Sequence, residues 1–233
     1  MKTRFYGKPP ANAKLPEGLS PYDVVRHVNR LIADDAVVVA DCGANLCWVY
    51  QVFERTRQFL FTAGGNSPMG YSLPAAIGAA LVEPSKQIVC FIGDGGLQMN
   101  LQELQTIRHL GLPVKIVVLN NREYGIIKQF QDSYFDRRYA ASGRGYSVPD
   151  FVAVAEAYGI AARRVERLDE IDAGLLSSPE PLLLDVQLPA GSLIVPRLEM
   201  GRPIHDQFPY VSDAEFAEYS PYNNSRRRDG GAT

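Results

Sequence analysis

Three cysteines and three histidines in 233 residues are too few and too scattered for a disulfide framework or a clustered metal site. Cys42, Cys47 and Cys90 are odd in number and suit a reducing compartment, so a cytoplasmic location is expected. Cys42 and Cys47 have no third and fourth ligand nearby, and His27, His109 and His205 lie far apart in the chain. Charge of one sign is missing too. The 24 Lys and Arg against 26 Asp and Glu leave a net charge of −2, without the basic surface a nucleic-acid binder needs. No apolar run approaches the roughly 18 residues of a membrane span, so no membrane partner is expected. The longest, around Ile116-Val117-Val118-Leu119, reads as a buried strand. The start, Met1-Lys2-Thr3-Arg4-Phe5-Tyr6, lacks the apolar core of a secretory signal. No internal repeat is visible.

What is present is a globular composition, 46% apolar and 21% charged. Residues 1–17, rich in Pro, Lys and Ala, read as an arm, residues 18–190 as the folded domain, 191–215 as a C-terminal extension and 216–233 as a disordered tail. The Arg226-Arg227-Arg228 triplet of that tail reads as solvated. In the domain, Ser20-Pro21-Tyr22-Asp23 opens a helix, with Ser20 as its cap and Asp23 as the acid of a capping box. Ala36–Ala40 is a short β-branched strand giving way to the loop Asp41-Cys42-Gly43-Ala44-Asn45. Then helices over 71–81, 97–110, 125–135, 150–158 and near 169–176 alternate with strands over 87–92, 114–119, 162–165 and 182–188. This alternation predicts an α/β fold, a doubly wound, mostly parallel sheet with helices on both faces.

In such a sheet ligands bind beyond the carboxyl ends of the strands. Three strands end in polar or glycine-rich loops: Asp41–Asn45, Gly93-Asp94-Gly95-Gly96 and Asn120-Asn121-Arg122-Glu123. Gly93, Gly95 and Gly96 let main-chain N–H groups approach an anion, and the helix that follows aims its positive end at the same place. Asp94 offers a carboxylate oxygen and Asn121 an amide oxygen. A hard divalent ion wants about six oxygens and takes several of them from substrate phosphates, so this small donor set makes sense when a diphosphate arrives with the metal. Gly93-Asp94-Gly95-Gly96 lacks the spacing of a dinucleotide loop, which argues against a nicotinamide dehydrogenase.

Gly93-Asp94-Gly95, 24 residues and then Asn120-Asn121 resembles the metal and diphosphate motif of thiamine-diphosphate-dependent enzymes. Residues 64–78, starting Gly64-Gly65-Asn66-Ser67-Pro68-Met69-Gly70, are similar to the acetolactate-synthase branch. So are Gly93–Asn100, Leu119–Ile127 and Pro149–Gly159, and the likeness covers about residues 20–190. It implies Mg²⁺ held by the side chains of Asp94 and Asn121 and by the backbone carbonyl of Glu123. It places Gly43, Asn45, Gly95 and Gly96 near the diphosphate and Ser67 and Met69 at the pyrimidine, with Gly93, Gly125 and Ile126 also in contact with the cofactor. Met69 would sit beneath the bend of the cofactor, and Ile126, Ile127 and Phe130 would wall the thiazolium and substrate pocket. Where many of these synthases have Gly-Thr-Met, Gln-His and Trp, this chain has Ser67-Pro68-Met69, Ala44-Asn45 and Phe130. Their pyrimidine contacts and substrate preference therefore do not carry over directly.

The resemblance covers only the diphosphate-binding domain. In the family a glutamate of the pyrimidine-binding domain activates the cofactor, and general acid–base help requires hydrogen-bond reach. Neither Glu123, in the metal loop, nor Glu103, on a helix, fills that role. The expectation is a split enzyme, a thiamine-diphosphate-dependent lyase or transferase paired with a separately encoded pyrimidine-binding subunit, for example as an α2β2 hetero-oligomer. It would act on a pyruvate-like 2-oxoacid by decarboxylation and carboligation. A simple 2-oxoacid decarboxylase subunit and a non-catalytic cofactor-binding scaffold are the alternatives.

Overall fold

The structure is a computed structural model that describes residues 16–219. Six strands form one all-parallel sheet: β1 (Val37–Ala40), β2 (Phe59–Phe61), β3 (Ile88–Gly93), β4 (Val114–Asn120), β5 (Ala161–Val165) and β6 (Leu182–Gln187). The order across the sheet is β2-β1-β3-β4-β6-β5, with register pairs such as Val38–Val89, Phe91–Val117 and Val117–Leu184. Every residue of β1 and β4 is buried, as a strand covered on both faces requires. On one face Val37, Val39, Cys90, Ile116 and Val118 pack with Leu73, Ile77, Leu104, Ile107 and Phe151. The alternate residues Val38, Val89, Phe91 and Val117 are equally buried on the other.

The helices are α1 (Pro21–Leu31), α2 (Gly43–Val52), α3 (Ser72–Val82), α4 (Asp94–Met99), α5 (Glu103–Leu110), α6 (Gly125–Tyr134), α7 (Phe151–Ala157) and α8 (Ala173–Ser177). At α1 the capping box does not form. The Ser20 carbonyl receives the Asp23 and Val24 N–H groups, its hydroxyl caps nothing, and the Asp23 carboxylate turns to Arg26 at 3.0 Å. At α7 the Asp150 carboxylate does cap, accepting from Val152 and Ala153 N–H. The expected loop after β1 is instead the start of α2, an apolar helix whose buried Trp48 and Val49 look like strand residues by composition.

The single helix expected over 97–110 is broken. Asn100 leaves helical geometry and its side-chain amide donates to Gly70 O at 2.8 Å, so α4 stops after six residues and α5 restarts at Glu103. The positive helix end expected to face an anion is correspondingly weak, because few peptide dipoles are aligned behind it.

Among the described residues, 16–193 form one compact unit and 194–219 belong to another. In the second unit Arg197 and Phe208 form an antiparallel bridge, Arg202 pairs with Asp206 at 3.0 Å, and Asp213–Tyr219 form a helix, α9. Residues 216–219, assigned from sequence to the tail, thus complete a helix. The arm up to residue 15 and the Arg226–Arg228 triplet lie outside the described residues.

Candidate active site

The direction of winding reverses between β1 and β3, because β2 lies on one side of β1 and β3 on the other. Loops leaving adjacent strands at such a reversal diverge and open a crevice at their carboxyl ends. The crevice here is a cavity of about 300 Å³. It is lined by residues 41–45, Trp48, Ser67, Met69, Gly93–Gly96, Leu119, Asn121 and Glu123–Ile127. The three loops singled out in the sequence do converge. Phe130 alone among the candidate residues stays outside the lining, one turn further along α6, 40% exposed and packed on Tyr134 at 4.8 Å between ring centroids.

Asp94 starts α4 at the cavity wall. Its Oδ1 accepts the Gly95 N–H at 2.6 Å and the Tyr146 hydroxyl at 3.2 Å, while Oδ2 is buried without a partner. Burial pushes its pKa up to about 6, partly offset by the Gly95 N–H, by the neighbouring backbone of Arg122 and Glu123 and by the Tyr146 hydroxyl. A buried carboxylate with one bare oxygen is a costly group unless a cation meets it.

Asn120 and Asn121 divide the work at the end of β4. Asn120 donates to Asp185 Oδ1 on β6 at 2.8 Å and accepts the Arg122 N–H at 3.2 Å, a turn that carries Arg122 into the left-handed region at φ 55°. Asn121 faces the cavity, its amide nitrogen buried and unpaired 2.8 Å from where a Cβ on Gly125 would lie. Rotation of that amide by a half turn presents its oxygen instead. Asn45 spends its donor on Phe91 O at 3.1 Å and leaves Oδ1 bare. It therefore shows the cavity an acceptor, and diphosphate-type oxygens would be met by backbone N–H groups instead.

The glycines are there for space. A Cβ on Gly95 would come within 2.3 Å of Tyr124 Cε1 and 3.1 Å of Met69 Cε, so both side chains close directly over the main chain. Met69 is 37% exposed, on a loop where Ser67 has φ 45° and Gly70 φ 82°. That loop is held by Asp41, whose carboxylate accepts Gly70 N–H at 3.0 Å and Ser72 N–H at 3.1 Å. Burial raises the Asp41 pKa and those two bonds lower it.

Glu123 turns its side chain away from the Asp94 cluster: it pairs with Lys128 and accepts Gly191 N–H at 2.9 Å. Its carbonyl is what remains for a ligand. Among the described residues no group of three His, Cys, Asp or Glu could hold a metal alone.

Residues 41–186 match the family model described as the C-terminal TPP binding domain of thiamine pyrophosphate enzymes. The chain belongs to this family. It is 36% identical over 197 residues to an acetolactate synthase large subunit of Parasynechococcus marenigrum, covering 83% of this chain and 31% of that protein. It is 33% identical over 187 residues to the large subunit of Lactococcus lactis, covering 78% and 32%. A probable acetolactate synthase of Oryza sativa is 36% identical over 195 residues, covering 78% and 29%. The chain thus spans about a third of the length of these relatives.

The residues of this TPP-binding domain fit the cofactor. Asp94 Oδ2 is a bare buried anion, and the main chain at Gly95 and Gly96 lies where any Cβ would collide with neighbouring side chains. Sequence reasoning missed Trp48 and Tyr146. Tyr146 stands 52 residues beyond Asp94 in a segment without period, and its only local signal is an aromatic among Gly and Ser residues.

Proposed function

We propose that this chain is the diphosphate-binding subunit of a thiamine-diphosphate-dependent enzyme that decarboxylates a pyruvate-like 2-oxoacid and joins the remaining fragment to an acceptor carbonyl. When bound, thiamine diphosphate supplies the electron sink for loss of CO₂ from the 2-oxoacid. Asp94 Oδ2 and Asn121, with the Glu123 carbonyl, are the groups that would hold Mg²⁺ together with the diphosphate. Gly96 would give the diphosphate its N–H group, with Gly43, Gly125 and the main chain of Gly95, whose own N–H serves Asp94, beside it. The bare Asn45 Oδ1 takes a donor from the ligand or from its water. Ser67 and Met69 would border the pyrimidine end, with the Met69 side chain packed against the cofactor. Ile126 and Ile127 exclude water from the reacting end, with Phe130 at the rim of the substrate approach.

The observation that carries the reading is the commitment of the cavity's carboxylates. Among the described lining residues these are Asp41, Asp94 and Glu123. Asp41 is spent on Gly70 and Ser72, Glu123 on Lys128 and Gly191, and Asp94 on Tyr146, Gly95 and the cation. Among the described lining residues no carboxylic acid is left to protonate the aminopyrimidine ring, and this reading assigns that glutamate to a pyrimidine-binding partner subunit. The free thiols of Cys42, Cys47 and Cys90 suit a reducing cytoplasm.

The test is turnover of pyruvate with thiamine diphosphate and Mg²⁺. The lone chain is expected to give no product, and a pyrimidine-domain polypeptide encoded in the same genome is expected to restore it. Robust activity of the lone chain would overturn the partner requirement. Product analysis with a panel of aldehyde and ketone acceptors separates carboligation from simple decarboxylation, and cofactor binding without any turnover in the complex would favour a scaffold.

A further inference from the structure

Tyr146 has no part in the roles given above, yet its hydroxyl is tied on both sides. It lies 3.2 Å from Asp94 Oδ1 and 3.0 Å from Gln98 Nε2. The same Gln98 nitrogen is 3.4 Å from Ser147 O. A carbonyl only accepts, so the Gln98 group facing Ser147 is its NH₂, and that NH₂ donates to the phenol oxygen. A phenol carries one proton. With Gln98 filling a lone pair of the oxygen, that proton is directed at Asp94.

The ring is held as firmly as the hydroxyl. It packs on Tyr124 with centroids 4.3 Å apart at 45°, and Tyr124 in turn lies over the Gly95 main chain. Asp94 Oδ1 therefore takes two hydrogen bonds, from Gly95 N–H and Tyr146 O–H, while Oδ2 is left buried and bare. A carboxylate fixed through one oxygen presents the other in one direction, and such outer-shell bonds commonly govern how well a ligand holds its metal.

We propose that Tyr146, directed by Gln98, is a positioning residue for the divalent cation: it clamps Asp94 Oδ1 so that Oδ2 alone is presented to the ion. The proposal rests on the reading of Asp94 as the cation's carboxylate. Tyr146→Phe removes one oxygen and keeps the ring stack on Tyr124, so the pocket keeps its shape while the clamp is lost.

Trp48, the one tryptophan of the sequence, lines the cavity and serves as the probe. Its fluorescence in the full chain is followed while Mg²⁺ is titrated at a fixed, saturating concentration of thiamine diphosphate. Tyr146→Phe is expected to raise the Mg²⁺ midpoint roughly tenfold. Gln98→Leu frees the hydroxyl to turn away and is expected to shift the midpoint in the same direction by less. A structural tyrosine would lower the melting temperature of the chain without moving the Mg²⁺ midpoint, and that result overturns the proposal. If Tyr146→Phe does not fold, the Gln98→Leu midpoint decides: a wild-type value overturns the proposal. Asp94→Ala separates the two readings. If it abolishes the Mg²⁺ response while both clamp variants behave as wild type, the clamp alone is wrong. If the wild-type chain shows no Mg²⁺-dependent response, or Asp94→Ala retains it, the reading of the site fails and the clamp with it.

Discussion

A Cβ on Gly96 would lie 2.0 Å from Asp41 Oδ2, the oxygen that accepts the Gly70 N–H. The main chain of α4 is thus pressed against the group that holds the Met69 loop, and the two walls of the cavity share one contact. Gly96→Ala is expected to push Asp41 off Gly70 and Ser72 and to release that loop. The expected costs are about 1–3 kcal/mol of stability and a large loss of thiamine diphosphate affinity. Urea denaturation and a Trp48 fluorescence titration measure the two, and wild-type binding by Gly96→Ala would show the contact to be slack.

Asp94 gives a pH dependence whose sign follows from its burial. In the folded chain without cation its pKa is pushed up to about 6, whereas an unfolded aspartate titrates near 4. The folded state binds its proton more tightly, so the favourable contribution of the protonated form is complete below the unfolded value and disappears as pH rises through the folded one. On the order of 3 kcal/mol should be lost across that window from this group. Urea midpoints of wild type and Asp94→Asn, compared at pH values spanning it, should diverge with rising pH, the asparagine chain being the more stable at neutral pH. A difference independent of pH would contradict this. The same variant should lose Mg²⁺-dependent cofactor binding, a gain in stability at the expense of the site.

Helix α6 has no buried residue, although it carries Ile126, Ile127 and Phe130. Phe130→Ala should therefore change the stability of the chain by no more than about 0.5 kcal/mol. In the complex reconstituted with a pyrimidine-binding partner, it should shift the ratio of products formed from small and bulky acceptor carbonyls. Thermal unfolding and product analysis check the two halves of this prediction, and an unchanged product ratio would remove Phe130 from the substrate approach.

Lys115 is buried near the amino end of β4, away from the cavity, and its ammonium group donates to Ser178 O at 2.7 Å, to Ser178 Oγ at 3.2 Å and to Glu180 O. Burial lowers its pKa to about 8. Lys115→Met fills the space but leaves those carbonyls without their donor, and should cost about 1–3 kcal/mol. Cofactor affinity should stay at the wild-type value, because the loop it ties enters β6 at the end of the sheet opposite the site.

Much of this molecule is written locally. Continuous apolar runs such as Ile116–Leu119 define central strands, the Asp150 cap and Gly159 bound a helix, and the Gly-Asp-Gly and Asn-Asn strand ends mark the cavity because backbone geometry and donor type are properties of a few adjacent residues. What the sequence by itself determined was the class of fold, the loops that meet and the donor set they bring. Only the tertiary structure decided the break of α4 from α5, which depends on Asn100 finding Gly70 O thirty residues away. It also decided that Asn45 shows its oxygen to the cavity, since Phe91 O claims the other end of that amide. Tyr146 belongs to the same group: its role exists because the fold sets a distant phenol against Asp94. Hydrogen bonds between segments far apart in the chain leave no period and no spacing for a linear reading to find, and they are what turn a set of suitable residues into a site with one free carboxylate oxygen.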